Sequence, residues 1–580
     1  MSEFKVTRID TNEAFEALRD DWQRLSDQTE HRNVFGTFDW LHTWWQVFGD
    51  QHRLYILAVH RGPELIGIAP LMITPARPLK KTVRFIGTPE IDYGDFLGTD
   101  KSEIARQVIR YLCDYSTEWT DIDLSQISER SATIEPLRKA LDEAHVRHRL
   151  IPIETCSSFV FEGTEKERVA FNPRQNKGLK GDINFFKRTG KLELVELTDP
   201  DHISHELYGL FHCHVNRWQD TATPSFFRDR RYCDFFYALT ERLAPRGMIS
   251  MLVLKHDHLR LAYQFNFKHA GTTYLYTLTH NVFQQRRAPG MVINYFARKH
   301  YVRDGAAELD FVRGGQAHKS RLTNRQYQNY QIRVYSGAFQ QALTRWYDKA
   351  KAAAIFQSIV RSRKLKGFRD HVVLHYRQQG IGGFLRKAIS KLASLIVDTK
   401  VVYMFRYEGD LDVKVEAGVP VENRMLGPQD IDEIASFLGI QAGSPRYQTL
   451  VERFEKDADC FASFHNGHIA CMGWGLYHED RNPATGFSAL PTKKQVLFSD
   501  GFTTPVLRGR HLRPHLMVHQ LNHYHRKGLQ CITAIYRRNT PSIRVIESLH
   551  FKRVKAVRQL KILGVNILLP RAVTVPDRTD

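Results

Sequence analysis

The fold of the C-terminal part of the chain is decided by residues 498–528, FSDGFTTPVLRGRHLRPHLMVHQLNHYHRKG. This pattern predicts a strand, the loop TPVLRGRHL and a helix that ends near Arg526. The strand QCITAIY (530–536) comes next, and a last helix is expected after RRNTPS (537–542). Such an alternation of strands and helices is typical of a mixed α/β domain.

The residues before this stretch extend the same domain towards the N-terminus. Helices are expected near 428–438 and over 445–455. The segment CFASFHNGHIACMGWGLY (460–477) contains an Asn-Gly turn between apolar runs, which is a strong hairpin signal. We therefore expect a C-terminal domain over residues 411–580.

Two further α/β halves are expected before it, over 1–165 and 166–345. In the first half, an aromatic helix (38–48) precedes two strands in 54–73, and helices follow at 102–118 and 133–145. The second half repeats this order of strands, loop, helix and strand up to ELDFV (308–312). The expected class is α/β, with mixed sheets flanked by helices.

A basic connector, residues 346–410, separates these halves from the C-terminal domain. Within it, GIGGFLRKAISKLASLIVD (380–398) has apolar residues at helical spacing and basic residues on the other faces. Two interpretations stay open. The helix either packs against the domains as a linker or lies on an anionic membrane surface.

Composition limits the class of protein. The net charge of +20 requires an anionic partner, for which a coenzyme, a membrane face or nucleic acid are candidates. Because the sequence has no zinc-finger or RNA-binding signature, sequence-specific recognition of nucleic acid is disfavoured. Seven scattered cysteines give neither a disulfide framework nor a metal site. No signal peptide or membrane span is recognised, so a cytoplasmic protein is expected, either free or peripheral at the inner membrane face.

The C-terminal pattern resembles the GNAT acyltransferase family. The family's phosphate loop, R/Q-x-x-G-x-G/A before a helix, is matched by Arg508 and Gly509, and Asn539 matches its Asn before the last helix. This resemblance implies an acetyl-CoA or longer acyl-CoA co-substrate, bound by Arg508, Gly509, Arg510 and Asn539. His511 and Arg513 stand where glycine or alanine is expected, so they either crowd the pyrophosphate or add charge to the site.

The N-terminal 340 residues resemble the CelD/BcsL-type acetyltransferase module, which is related to the FemABX transferases and contains two GNAT-like halves. The matching segments occur in the family's order. They are NVFGTFDWLHTWWQVFG (33–49), FIGTPEIDYGDFLG (85–98), NPRQNKGLKGDINFFKRTG (172–190), FHCHVNRW (211–218), THNVFQQRRAPG (279–290) and LDFVRGGQAHKSRL (309–322). The resemblance implies a cytoplasmic transferase of cell-envelope polysaccharide or lipid synthesis.

Three residues are candidates for the chemistry. Lys319 resembles the family's lysine after a glycine-containing loop, where it offsets phosphate or oxyanion charge. Asp310 either acts as a base or orients an amine, and the alternative is a strand-end acid paired with Arg313. His212 is a candidate general base.

Binding roles are expected at two more places. Pro289 and Gly290 open a helix and would cradle the phosphate or the substrate, because glycine permits close backbone approach. Asp92 and Asp95 lie in a loop after a strand, where they would hold a sugar hydroxyl or an amine unless they are plain turn residues. No metal is expected.

The sequence thus predicts an acyl-CoA-dependent N- or O-acyltransferase acting on a glycan, lipid or amine. Three alternatives remain. One is an N-acyltransferase that makes a lipid amide from long-chain acyl-CoA or acyl carrier protein. Another is a FemABX-like transferase that uses aminoacyl-tRNA. The last is a non-catalytic scaffold.

Overall fold

The computed structural model contains two compact units. It describes residues 3–29, 32–77, 80–163, 173–219, 221, 223–314, 319, 322–335, 397–409, 413–481, 488–562, 565–568 and 573–575. The N-terminal unit comprises Met1–Leu207, Asp229–His280 and Arg287–Ser358, and the C-terminal unit comprises Tyr208–Arg228, Asn281–Arg286 and Ile359–Asp580. The predicted boundaries at 165, 345 and 410 stay predictions.

The first half of the N-terminal unit has eight strands and five helices among its described residues. The strands are β1 (Phe4–Ile9), β2 (Arg53–Leu54), β3 (Ile56–Arg61), β4 (Glu64–Ala69), β5 (Leu71–Arg77), β6 (Lys80–Phe85), β7 (Asp121–Ser128) and β8 (His148–Val160). The helices are α1 (Asn12–Ala17), α2 (Arg19–Gln28), α3 (Phe38–Phe48), α4 (Lys101–Asp114) and α5 (Ile134–Glu143). The two strands expected around the turn in 54–73 are confirmed as β3 and β4. The segment also contains the end of β2 and the start of β5, which Pro70 separates from β4.

The second half follows with helices and strands close to the expected positions. The helices are α6 (Pro173–Thr189), α7 (Pro200–Trp218), α8 (Arg230–Leu243) and α9 (Pro289–Arg303). The residues of α7 from Tyr208 onwards belong to the C-terminal unit. The strands are β9 (Leu192–Leu197), β10 (Ile249–His256), β11 (Leu259–His269), β12 (Thr272–His280), β13 (Glu308–Arg313) and β14 (Arg325–Tyr335).

One sheet of eleven strands runs through both halves, in the order β2-β5-β6-β7-β14-β8-β13-β12-β11-β10-β9. The strand β14 lies between β7 and β8 and pairs antiparallel with both. Each half has its own apolar core, one around Phe85, Ile104 and Leu124 and the other around Leu254, Ile293 and Leu309. The halves therefore share a sheet, and aromatic side chains also pack between them, such as Phe35 against Phe267.

The C-terminal unit contains an eight-stranded sheet in the order β16-β17-β18-β21-β22-β15-β23-β24. Its strands, with the small pair β19 and β20, are β15 (Val397–Tyr407), β16 (Glu422–Leu426), β17 (Asp459–His465), β18 (His468–Leu476), β19 (Asp480–Arg481), β20 (Ser488–Ala489), β21 (Gln495–Thr503), β22 (Gln530–Tyr536), β23 (Phe551–Ile562) and β24 (Val565–Leu568). Its further helices are α10 (Ile431–Phe437), α11 (Pro445–Glu455), α12 (Leu512–Arg526) and α13 (Thr540–Ser548). The predicted hairpin at 460–477 is confirmed as β17 and β18.

The same strand–helix–strand unit occurs three times. The parallel pairs are β6 with β7, β12 with β13, and β21 with β22, and the helices between them are α4, α9 and α12. Each pair is hydrogen-bonded over only part of its length, so the two strands separate towards their C-terminal ends. This arrangement confirms the expected α/β class.

The predicted amphipathic helix at 380–398 lies outside the described residues, apart from residues 397 and 398, which belong to β15. In the part of the chain that the structure describes, none of the helices combines the length and the hydropathy needed to cross a bilayer.

Candidate functional site

The separation of β12 and β13 positions a buried carboxylate. Their parallel pairing runs from Thr272 and Glu308 to Tyr274 and Asp310, and then ends. Asp310 is 1% exposed at this point. Burial raises the pKa of its carboxyl group to about 6, against the effect of hydrogen bonds from its neighbours. A carboxylate with this pKa is largely ionised at neutral pH and is a stronger base than an exposed aspartate.

Two tyrosines surround the Asp310 carboxylate. The Tyr93 hydroxyl lies 2.9 Å from Oδ1 and 3.1 Å from Oδ2 of Asp310. The Tyr327 hydroxyl donates to Oδ2, and the two tyrosine oxygens are 2.8 Å apart. Burial raises the pKa of both tyrosines, so both remain protonated and act as donors to the carboxylate. The arrangement forms a small buried network with one titratable acid in its centre.

The backbone after Asp310 is bulged. The pairing of β13 with β8 shifts register between Asp310 and Arg313, and Val312 has a φ of 50°. A β-branched residue in this left-handed region costs about 1–3 kcal/mol. The Val312 amide donates to Oδ1 of Asp310 at 2.7 Å, so the bulge also supplies the carboxylate with a hydrogen-bond donor.

Lys319 stabilises the same bulge from the other side. Its ammonium group donates to the carbonyl oxygens of Phe311, at 2.8 Å, and Arg313, at 2.7 Å. Burial lowers the pKa of this lysine, and the nearby carboxylate of Asp92 opposes that shift. Lys319 is therefore positioned to hold the end of β13, and its predicted role at an oxyanion stays a prediction.

A cavity of about 180 Å³ opens beside the Asp310 carboxylate. Arg130 borders this cavity, pairs with both oxygens of Glu308 at 3.0 and 3.1 Å, and lies 5.0 Å over the ring of Tyr327. This volume is smaller than that of most ligand pockets, which measure about 300–1,000 Å³. The cavity therefore has space for only one small group of a ligand. Its lining includes Arg32, Asn33, Tyr93, Asp95, Thr272 and Tyr274.

Asp92 and Asp95 do not converge on a shared ligand position. The carboxylate of Asp92 pairs with Nε of Arg313 at 2.6 Å, so Arg313 is the partner of Asp92 and not of Asp310. Asp95 borders the cavity, but its oxygens accept from the Phe96 amide at 2.7 Å and from Ser131 at 2.8 Å. The two carboxylates thus have separate protein partners, and their predicted role in holding a hydroxyl or an amine stays a prediction.

His212 belongs to the C-terminal unit, where it is buried between protein groups. Its Nε2 lies 2.8 Å from the carbonyl oxygen of Phe437, and its Nδ1 lies 2.9 Å from the hydroxyl of Thr504. Since a carbonyl only accepts, Nε2 carries the proton and Nδ1 accepts from Thr504. Burial lowers the pKa of His212 to about 4. A neutral ring with both nitrogens engaged favours a structural role for His212, and its predicted role as a general base stays a prediction.

Pro289 and Gly290 open α9, as the sequence predicts. The residue before them, Ala288, adopts the left-handed conformation with a φ of 42°. A Cβ atom on Gly290 would lie 3.2 Å from Nδ1 of His280 on β12. Glycine thus lets the helix start close to the strand, and a role in binding phosphate stays a prediction.

A larger cavity, of about 770 Å³, lies where β21 and β22 separate in the C-terminal unit. Arg508, Gly509 and Asn539 line it, whereas Arg510 is absent from its lining. Gly509 has a φ of 79°, and Asn539 caps α13 by accepting from the Ser542 amide at 3.4 Å. The first turn of α12 faces this loop, and amides at a helix N-terminus favour anions. Three of the four cofactor residues predicted in the C-terminal domain therefore border one cavity.

Sequence reasoning missed Tyr93, Tyr327 and Arg130. Tyr93 stands between the two aspartates that were selected, and Tyr327 is one of two tyrosines in the polar strand RQYQNYQIRVY. Their proximity to Asp310 depends on pairings between distant segments, since β14 joins β7 and β8. No local pattern in the sequence carries this information. Among the described residues, no three His, Cys, Asp or Glu side chains are grouped to hold a metal ion.

Comparison with known proteins gives one family match. Residues 174–320 match the family described as acetyltransferase (GNAT) domain, and this segment includes α9, β13 and Asp310. No curated protein matches the chain.

Several solved structures are similar at low identity. FemX has 11% identity and a TM-score of 0.40 and covers 56% of this chain and 96% of its own. A conserved protein of unknown function from Bacteroides thetaiotaomicron has 14% identity and a TM-score of 0.38, covering 58% and 100%. A tandem GNAT protein from the clavulanic acid biosynthesis pathway has 12% identity and a TM-score of 0.35, covering 58% and 99%. Similarity at this level does not extend to activity or ligand. On the family match, the protein contains a GNAT acetyltransferase domain over residues 174–320 and is an acyltransferase.

Proposed function

We propose that the protein transfers an acyl group from a coenzyme A thioester to an amine or hydroxyl, with Asp310 as the general base. The observation that carries this proposal is the position of Asp310. It is a buried carboxylate with a pKa raised to about 6, at the separation of two parallel strands and beside a cavity. These are the properties that general base catalysis requires near neutral pH.

The proposed reaction moves one proton and exchanges one bond. The acceptor nitrogen or oxygen attacks the thioester carbonyl carbon, and its proton passes to the Asp310 carboxylate. The carbon–sulfur bond then breaks, and the leaving thiolate takes up the proton held by the Asp310 carboxyl group. Tyr93 and Tyr327 hold the carboxylate in place through the whole sequence, because both hydroxyls donate to it. Proton transfer by a positioned group of this kind contributes about 10²–10⁴-fold to the rate.

The C-terminal unit supports a second proposal, that its cavity binds a coenzyme A thioester. A volume of about 770 Å³ falls in the usual range for ligand pockets. Arg508 and the amides before and within the first turn of α12 are suited to a pyrophosphate. His511 has a φ of 56° and caps α12, so its backbone adopts a conformation that glycine would take more easily.

The acceptor and its pathway are proposed from the sequence resemblance. The order of segments typical of CelD/BcsL-type proteins favours a glycan, lipid or amine of the cell envelope, reached at the inner face of the membrane. The net charge of +20 supports a polyanionic donor or an anionic surface. Transfer from acyl carrier protein or aminoacyl-tRNA and a non-catalytic scaffold remain as outcomes that experiment can distinguish.

The test measures release of free thiol from acetyl-CoA and palmitoyl-CoA in the presence of amine, sugar and lipid acceptors. With the donor and acceptor on which the wild type is fastest, Asp310→Asn should lower the rate of thiol release at least about a hundredfold. The control is Asp304→Asn, which removes an acid at the end of α9 that pairs with Lys268 and is partly exposed. Equal rates for Asp310→Asn and the wild type would refute the assignment of the base. Transfer from aminoacyl-tRNA alone would favour that alternative donor.

A further inference from the structure

The cavity of the C-terminal unit contains a second arginine, at greater depth than Arg508. Arg513 is the second residue of α12, and its side chain points between the helix and the sheet. Its guanidinium lies over Gly473 of β18 and Gly501 of β21, where a methyl group on either glycine would overlap it. Arg513 is also one of the residues that line the cavity. Because both strands have glycine at these positions, there is space for the guanidinium between the helix and the sheet.

The protein gives this guanidinium weak partners. Nη1 of Arg513 lies 3.4 Å from the carbonyl oxygen of Met472 and 3.5 Å from Oε1 of Gln520, and the sulfur of Cys471 is a further, weak acceptor. Both distances exceed the usual 2.9–3.0 Å of a hydrogen bond from nitrogen to oxygen. In the described part of the chain, no carboxylate lies within ion-pair distance of Arg513.

The acidic residue of the lining does not compensate this charge. Asp500 borders the cavity, but its carboxylate pairs with Arg453 at 2.7 Å. Burial lowers the pKa of Arg513, which shows the cost of placing a cation here. A guanidinium taken from water without a counter-ion is unfavourable, and an anion bound beside it would remove that cost.

We propose that Arg513 binds a carboxylate of the ligand in the C-terminal cavity. This inference rests on the proposed thioester site, because the exposed Arg508 and the loop amides are suited to the pyrophosphate and leave Arg513 for a second charge. That charge belongs either to a dicarboxylic acyl group on the thioester or to an acceptor with a free carboxylate. The planar guanidinium matches both in the same way, through paired hydrogen bonds.

The test is calorimetry with acetyl-CoA and succinyl-CoA on the full chain. The wild type should bind succinyl-CoA at least tenfold more tightly than acetyl-CoA, which is about 1.4 kcal/mol. Arg513→Met should remove this preference and keep the acetyl-CoA affinity. The matched control is Arg526→Met at the other, exposed end of the same helix, which should behave as the wild type.

Three results separate the possible outcomes. If the wild type binds both esters equally, the binding of succinate to the complex of the protein with desulfo-CoA is measured next. Succinate binding that is tenfold weaker in Arg513→Met than in the wild type would assign the carboxylate to the acceptor. The inference is wrong if the wild type neither prefers succinyl-CoA over acetyl-CoA nor binds succinate. It is also wrong if Arg513→Met retains the preference or the succinate binding of the wild type. If no coenzyme A ester binds, the thioester site itself is refuted. Arg513→Gln, which is polar and uncharged, replaces the methionine variant if that variant aggregates.

Discussion

Replacing Asp310 with asparagine should stabilise the protein at neutral pH while it removes the base. The pKa of this carboxyl group is raised from 3.8 to about 6 by burial. A folded-state pKa above the unfolded value means that the folded protein holds the proton more tightly. The stabilising contribution is complete below pH 3.8 and is lost as the pH rises through about 6.

The size of this effect follows from the two pKa values. The difference between about 6 and 3.8 is about 2, and each pK unit corresponds to about 1.4 kcal/mol. The wild type therefore loses about 3 kcal/mol of unfolding free energy between pH 4 and pH 7. Asparagine has nearly the same shape and can accept from Tyr93 or Tyr327, so it avoids the burial of a charge. We expect a gain of about 1–3 kcal/mol at pH 7.5 and almost no difference at pH 4.

The assay is denaturant unfolding of both proteins at several pH values between 4 and 7.5. Tryptophan fluorescence suits it, because Trp22, Trp40 and Trp44 are buried in the N-terminal unit. The stability difference should grow with pH and level off above about 6.5. A variant that is less stable than the wild type by the same amount at every pH would show that Asp310 does not titrate in this range.

Three other substitutions test the remaining contacts. Lys319→Met should lower turnover at least tenfold, because the bulge at Val312 loses two charge-assisted hydrogen bonds of about 1.5–3 kcal/mol each; wild-type turnover in a folded variant would contradict this. Tyr327→Phe removes a donor to the Asp310 carboxylate, so the midpoint of the pH–rate profile should move upwards from about 6, and an unmoved or lower midpoint would refute the hydrogen-bond network. His212→Ala should lower the melting temperature of the C-terminal unit and leave turnover unchanged, since the ring connects Phe437 and Thr504; a catalytic loss in a protein with normal stability would support its role as a base.

Local patterns in the sequence were sufficient for most helices and for the hairpins. The predicted helix over 445–455 agrees with α11, and the Asn-Gly turn of the β17–β18 hairpin lies where expected. These features depend on neighbouring residues, on capping and on turn chemistry. Asp310 was selected because it stands in the strand-like ELDFV before a glycine-containing segment.

The surroundings of Asp310 could not be predicted, because they come from distant segments. Tyr93 lies 217 residues away in sequence, and Tyr327 belongs to β14, a segment for which the sequence analysis makes no prediction. Residue type makes Lys319 and His212 candidates for chemistry, and in the structure both also make hydrogen bonds within the protein. Whether such a group meets substrate or protein depends on tertiary packing, which spacing along the chain does not determine.

The position of β14 in the large sheet has a consequence for the synthesis of the chain. The strands β7 and β8 are both finished by residue 160, yet the strand that lies between them begins only at Arg325. At about 5–20 residues per second, a ribosome needs roughly 8–35 s for these intervening residues. During this interval both strand edges lack their final partner. A fragment that ends near residue 165 should therefore aggregate or recruit a chaperone, and adding residues 325–335 as a separate peptide should rescue it.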